Sequence, residues 1–154
     1  MMNVVLVNPE IPQNTGNVAR SVLSVFGKLH LVEPFGFSLD DKYLKRAGLD
    51  YWHDVDITRW ESLDILLEHV DKCGEHSWFF TTRTDKAYDR VEYQKGDWLI
   101  FGSESRGLSP EILSRHFESN LTIPLPNLAV RSLNLASSVA TVLFAAESQM
   151  RLRK

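Results

Sequence analysis

Asn3-Val-Val-Leu-Val7 is followed at once by Asn8-Pro-Glu-Ile-Pro-Gln-Asn-Thr-Gly-Asn-Val-Ala-Arg20. Val4 to Val7 form an uninterrupted apolar run. A strand with one wet face alternates in polarity, so a continuous run reads as a strand covered on both faces. Beyond the polar loop, Val18, Val22 and Phe26 recur at i, i+4 and i+8, the spacing of one helical face. The pair reads as the opening strand and helix of an α/β fold. Further strands are predicted at 29–32, 54–57, 77–81, 97–101 and 121–124, and helices at 15–26, 40–47, 60–71, 109–116 and 133–151. Ser109 is a plausible N-cap, with Pro110 in the first turn. This alternation predicts an α/β class with a mostly parallel sheet flanked by helices. Within the last predicted helix, Leu133 to Ala146 is small or apolar nearly all round. It is therefore either buried centrally or set against another subunit.

The 154 residues, without repeat or linker, predict one domain over 1–154. Apolar residues are 44% and charged residues 24%, a balance that argues against disorder. The net charge of −3 excludes a uniformly basic nucleic-acid coat but not a local basic patch. Cys73 is the only cysteine, so no intramolecular disulfide and no multi-thiolate zinc site can form. That usage, with no signal peptide or membrane-length apolar run in view, predicts a cytoplasmic protein without a membrane partner.

Familiar motifs are mostly missing. No G-x-G-x-x-G follows a strand, and no G-x-S-x-G elbow is present. Gly102 to Ser109 mimics a Walker A spacing, but Leu108 stands where the phosphate-binding lysine belongs. The five histidines show no paired ligand spacing, and no metal is expected.

Three polar clusters remain, each after a predicted strand. The first is Asn14-Thr-Gly-Asn17-Val-Ala-Arg20. An N-cap at Asn14 or Thr15 would explain one residue and leave Asn17 and Arg20, three apart on one helical face. The second is Phe101-Gly102-Ser-Glu104-Ser-Arg106-Gly107, an ordinary glycine turn or a close backbone approach to a ligand. The third is Ile123-Pro-Leu-Pro-Asn127 with Arg131-Ser132-Leu133-Asn134-Leu-Ala-Ser-Ser138. Capping by Ser132 or Asn134 accounts for only part of it. In a parallel sheet all three can meet at one edge, where α/β folds bind ligands.

Together these clusters resemble the three motifs of the SPOUT-class RNA 2′-O-methyltransferases (the SpoU/TrmH-like superfamily), over essentially the whole chain. Pro9 to Gly16, Leu31 to Pro34, Gly36-Phe37, Asp40-Asp41-Lys42 and Arg46 to Tyr51 are similar to the minimal single-domain members, which methylate the wobble nucleotide of leucine tRNAs. The resemblance implies a C-terminal deep trefoil knot, a homodimer, and S-adenosylmethionine as methyl donor, leaving as S-adenosylhomocysteine. By position it assigns Phe80, Thr81, Gly102, Glu104, Ile123, Ser132 and Leu133 to the cofactor. It assigns catalysis to Arg20, with Ser132 and Asn134 orienting the ribose or the cofactor's amino-acid end, and lets Arg20 act on a cofactor held by the other subunit. Glu104 is expected either at the cofactor's amino group or fixing its own loop. A guanidinium stays protonated, so Arg20 is read as a stabiliser of developing oxyanion charge.

RNA contacts are expected from Asn17, Arg20, Lys42, Arg46, Arg106 and Arg131. Lys45, Arg83, Lys86, Arg90 and the tail Arg151, Arg153 and Lys154 add charge around them, and Tyr51 or Trp52 could stack on a base. Two other readings stay open: the same chemistry on another tRNA position or on rRNA, and a non-catalytic RNA-binding homologue.

Overall fold

The computed structural model describes residues 1–40 and 42–153. Asp41 and Lys154, named above in a motif match and in the basic tail, lie outside the described residues, as does the Lys45 side chain. Six strands form one sheet: β1 (Asn3–Val7), β2 (Lys28–Val32), β3 (Ile57–Trp60), β4 (Ser77–Phe80), β5 (Trp98–Phe101) and β6 (Asn120–Leu121). Their order is β3-β2-β1-β5-β4-β6, and every pairing is parallel. The helices are α1 (Pro12–Ser24), α2 (Lys42–Gly48), α3 (Leu63–Cys73), α4 (Pro110–Arg115) and α5 (Leu135–Leu152).

The continuous apolar runs are explained by two cores, one on each face of the sheet. Val4, Leu6, Leu99, Phe101 and Phe80 pack with Val18 and Val22 of α1 and Val139, Val142, Leu143 and Ala146 of α5. Val5, Val7, Ile100 and Phe79 pack with Leu66, Leu67 and Val70 of α3 and Ile112 and Leu113 of α4. Successive strand residues point to opposite faces, so β5 and β1 from Val4 onward feed both cores and are apolar throughout. Each fully buried side chain of this kind contributes about 1.5–3 kcal/mol of transfer free energy.

Several sequence expectations are corrected. β3 lies at Ile57–Trp60 rather than 54–57, because residues 49–54 form a 3₁₀ segment and Ile57 is the residue that pairs with Leu29. The following helix accordingly starts at Leu63, with the Ser62 hydroxyl accepting from the Ile65 N–H. α1 starts at Pro12 with Ile11 at the N-cap, so Asn14 and Thr15 are not caps but buried residues of the first turns. It ends at Ser24. Phe26 leaves the helical face, with a φ of 56° and 80% exposure. The Phe26 and Gly27 N–H groups close that end on the carbonyls of Leu23 and Val22. β6 stops at Leu121 rather than Pro124, since Thr122 bonds instead to Lys86 and Tyr88. The Ser109 cap of α4 is present, 3.2 Å from the Ile112 N–H. α5 buries one face against the sheet and α1, while Phe144 on the other is 48% exposed.

His30 in β2 is buried. Trp60 Nε1–H donates to its Nδ1 at 3.0 Å, which leaves Nε2 to donate to Asn3 Oδ1 at 3.2 Å. Burial holds its pKa down at about 4, against an ordinary 6.5. The neutral ring therefore favours the fold above pH 6.5, and that contribution is lost as pH falls towards about 4. Urea denaturation should show stability falling between pH 6.5 and 4.5, with a slope of at most about 1.4 kcal/mol per pH unit from this one proton. His30→Gln should flatten that part of the profile; an unchanged slope in the variant would remove His30 as its source.

Candidate functional site

The carboxyl ends of β4, β5 and β6 and the start of α5 surround an open cleft of about 470 Å³. Phe80, Thr81, Gly102, Glu104, Ile123, Ser132 and Leu133 all line it, together with Asn134, Asn14 and Arg106. Residues as far apart as Asn14 and Asn134, 120 positions in the chain, thus meet at one sheet edge. The Phe80 and Phe101 rings stack at 4.5 Å and 11° and line the cleft. The Thr81 N–H is tied to the Leu121 carbonyl at 2.9 Å, which joins the loops after β4 and β6.

The loop after β5 is folded back on itself. Ser103 accepts from the Gly107 N–H at 2.9 Å, and Gly107 takes a φ of 65°. A Cβ at Gly102 would sit 2.1 Å from Gly107 C and 2.3 Å from Leu108 N. No side chain fits there, because the obstacle is backbone rather than a movable side chain.

Glu104 binds this loop to the start of α1. Its carboxylate accepts from the backbone N–H of Glu10 at 2.8 Å and of Ile11 at 3.1 Å, and from the Asn14 side-chain amide at 3.3 Å. Ile11 makes no side-chain cap, so a carboxylate from a distant loop meets the positive end of α1 in its place. Glu10 reciprocates, accepting from Ser105 N–H at 3.3 Å and Ser105 Oγ–H at 2.6 Å. The Ser105 hydroxyl bond holds the Glu10 carboxyl below the usual range. These bonds hold the loop, one of the two roles expected of Glu104.

The bonding continues to the third cluster. Asn134 Nδ2 donates to Asn14 Oδ1 at 3.0 Å, and Asn134 Oδ1 accepts from the Ser137 N–H at 3.2 Å. A carboxylate only accepts, so Asn14 must turn its NH₂ towards Glu104 and its oxygen towards Asn134. Asn134 must then give its NH₂ to Asn14, and its oxygen is left to cap α5. One charge sets the orientation of two amides and a helix cap. In the sequence Asn14 stands only in a motif and as a possible cap; in the structure it is 6% exposed within the helix and links the two clusters.

Other candidates are not gathered here. Asn17 and Arg20 lie exposed on α1, and neither lines the cleft. Arg20 follows Asn14 by six residues, about 9 Å along the axis and about 240° round it, and its guanidinium stands 5.8 Å from the Tyr51 ring. Lys42 and Arg46 are exposed on α2, and Arg131 is exposed on the loop before α5. Of the accessory basic residues, Lys86 donates to the Glu118 carbonyl, Arg90 faces Asp89 and Arg153 faces Glu92.

A SpoU rRNA Methylase family profile matches residues 1–144. The chain belongs to the SpoU rRNA Methylase family. Among the SpoU relatives, a Polaromonas protein named tRNA (cytidine(34)-2'-O)-methyltransferase is 42% identical over 97% of this chain and 91% of its own. A protein of the same name from Aeromonas hydrophila is 42% identical over 97% and 95%. A solved structure described as giving insight into 2-OH methylation of C/U34 on tRNA superposes with a TM-score of 0.93, at 43% identity over 98% of this chain and 97% of that one. The SpoU methyltransferase AviRb from Streptomyces viridochromogenes, in complex with AdoMet, shares the fold. Its TM-score is 0.87 at 19% identity, over 97% of this chain and 57% of that one.

Gly102→Ala should be costly in this SpoU chain. Overpacking of this kind costs about 1–3 kcal/mol, which at about 2–4 °C per kcal/mol for a domain of this size lowers the melting temperature by several degrees. An unchanged melting temperature would show that the loop has room the structure denies it.

Proposed function

We propose that this SpoU-family methyltransferase transfers a methyl group from S-adenosylmethionine to the ribose 2′-oxygen of the wobble nucleotide, position 34, cytidine or modified uridine, of leucine tRNAs. It works in the cytoplasm as a homodimer of single-domain chains whose C-terminal part carries the family's knot. One observation carries the reading: seven residues assigned to the cofactor by motif position line a single cleft. The relatives named for position 34 support the choice of nucleotide.

The cleft suits the cofactor. Its volume lies in the range of about 300–1,000 Å³ typical of small-molecule sites. Leu121, Ile123 and Leu133 give apolar walls, while Thr81 and Ser132 bring hydroxyls, a mixture that fits a purine nucleoside with a polar amino-acid end. The bound cofactor supplies an activated methyl group on a sulfonium. Phe80, Thr81, Gly102, Ile123, Ser132 and Leu133 hold it, and Glu104 keeps the β5 loop in shape. Ser132 and the remaining amide hydrogen of Asn134 orient the ribose or the cofactor's amino-acid end. Alignment of this kind supplies up to about 7–11 kcal/mol of barrier reduction in favourable cases.

Arg20 stabilises the charge that develops on the 2′-oxygen and grips the adjacent phosphate, and the 2′-hydroxyl proton leaves to that phosphate or to water, since a guanidinium cannot take it. Its exposure on α1, outside the lining of this cleft, supports action in trans: the partner subunit's Arg20 serves this cleft. The exposed Phe144 face of α5 is the apolar surface such a dimer buries. Asn17, Lys42, Arg46, Arg106 and Arg131 form the phosphate track, which makes RNA affinity salt-dependent.

Arg20→Ala should abolish methyl transfer to tRNA, by about 10²-fold or more in kcat on the scale of a lost oxyanion donor, with cofactor affinity by calorimetry kept within a few-fold. Mixing Arg20→Ala with a cleft-blocked partner chain should restore part of the activity. Near-normal turnover in the single variant would remove Arg20 from the mechanism.

A further inference from the structure

A second cavity, of about 820 Å³, lies on the opposite side of the β5 loop from the cofactor cleft. Its walls are the loops leaving β1 (Asn8–Glu10), β2 (Pro34–Gly36) and β5. The chain runs from β1 through β2 to β3 in one direction and then occupies β4, β5 and β6 in the other. The β1/β5 boundary is therefore the switch point of the sheet, where connections diverge and leave a crevice at the strands' carboxyl ends. The second cavity occupies that crevice, and the methyl-transfer mechanism does not use it.

Its charge is unevenly committed. Asp64 and Glu111 are both taken by Arg115, at 3.3 and 2.8 Å, and Glu10 is taken by Ser105. Arg83 and Arg106 line this cavity and the cofactor cleft alike, and among the described residues neither side chain is in an ion pair. Arg106 also helps hold the nearby Glu10 carboxyl low; two guanidiniums without a direct ion pair, on the wall between two cavities, suit a phosphodiester, which accepts from such forks in plane. Below the saddle the wall turns apolar, with Pro34, Leu63, Leu108 and the half-buried Phe35. The Phe35 ring is held by Phe37 at 5.2 Å and by the Arg59 guanidinium at 5.3 Å. A fixed aromatic ring beside a phosphate site is the combination that binds single-stranded bases without regard to sequence.

We infer that this groove is a second RNA subsite: it takes an unstacked nucleotide adjacent to the methylated one, with the phosphate joining the two seated on Arg83 and Arg106. This rests on the RNA substrate proposed above and adds where the next nucleotide goes. It also explains why the two cavities share one wall: the cleft seats the methyl donor with the target ribose at its edge, and the phosphate leading to the next nucleotide crosses the wall.

Gly36 gives a clean probe. It lines the groove but not the cleft, and a Cβ there meets nothing within 4 Å, so Gly36→Trp fills the groove from its rim. Affinity for a stem-loop RNA carrying the wobble nucleotide is read by fluorescence anisotropy, with cofactor affinity measured alongside. Gly36→Trp and Arg83→Ala should each weaken RNA binding about tenfold, the scale of one lost stacking or phosphate contact, while Gly36→Trp keeps cofactor affinity within twofold. Removing the base of the nucleotide on one side of the target should weaken wild-type binding about tenfold and add nothing in Gly36→Trp. Unchanged RNA affinity in both variants, or an abasic effect equally large in wild type and Gly36→Trp, overturns the subsite. A wild-type protein that neither binds nor methylates the stem-loop overturns the RNA reading itself and the subsite with it.

Discussion

The Glu104 carboxylate is the point on which the site depends. It sits on the loop after β5, yet three of its acceptor positions are filled by the chain between β1 and the first turn of α1. Charge-assisted bonds of this kind are shorter and about twice as strong as neutral ones. The bonds then run in one sense through Asn14 and Asn134 to the cap of α5, and aligned bonds polarise one another. A neutral side chain at 104 could be satisfied in several ways. An anion admits one, and that fixes which atom of Asn14 and which atom of Asn134 face each other.

The layering of the fold was legible because burial on both faces is written into composition. Val4 to Val7 could only be a covered strand, and the structure pairs Val4 to Leu6 on both edges and Val7 with Val32 on one. The errors fell where tertiary contacts overrode local pattern. β3 is placed by register with β2 and by the Trp60 indole reaching His30, information carried by residues 30 positions away. The true start of α1 was hidden because its cap comes from residue 104 rather than from the sequence just upstream. Phe26 had the right spacing for a helical face but occupies the left-handed turn that ends the helix.

The site was legible as clusters but not as a circuit. Motif position put seven residues at one cleft, where the structure has them. It did not reveal that Glu104 and Asn134 are largely committed to holding the framework, because hydrogen-bond partners 90 and 120 positions apart leave no local trace. The same circuit orients α1, whose first turn faces the cleft while Arg20 faces away. A rigid start to α1 fixes the direction in which the exposed Arg20, further along the same helix, leaves it. The β5 loop, pinned by Glu104 and crowded at Gly102, is the wall that both cavities share.

Hydrogen exchange at single amides tests this account most directly. Asn14→Leu keeps the side chain's size and removes both of its bonds, so protection should fall together at Glu10 and Ile11 on one side and at Ser137 on the other, with the α3 amides unchanged. Loss of protection at Glu10 and Ile11 alone, with Ser137 as slow as in wild type, would mean that the three segments are merely neighbours and not one bonded unit.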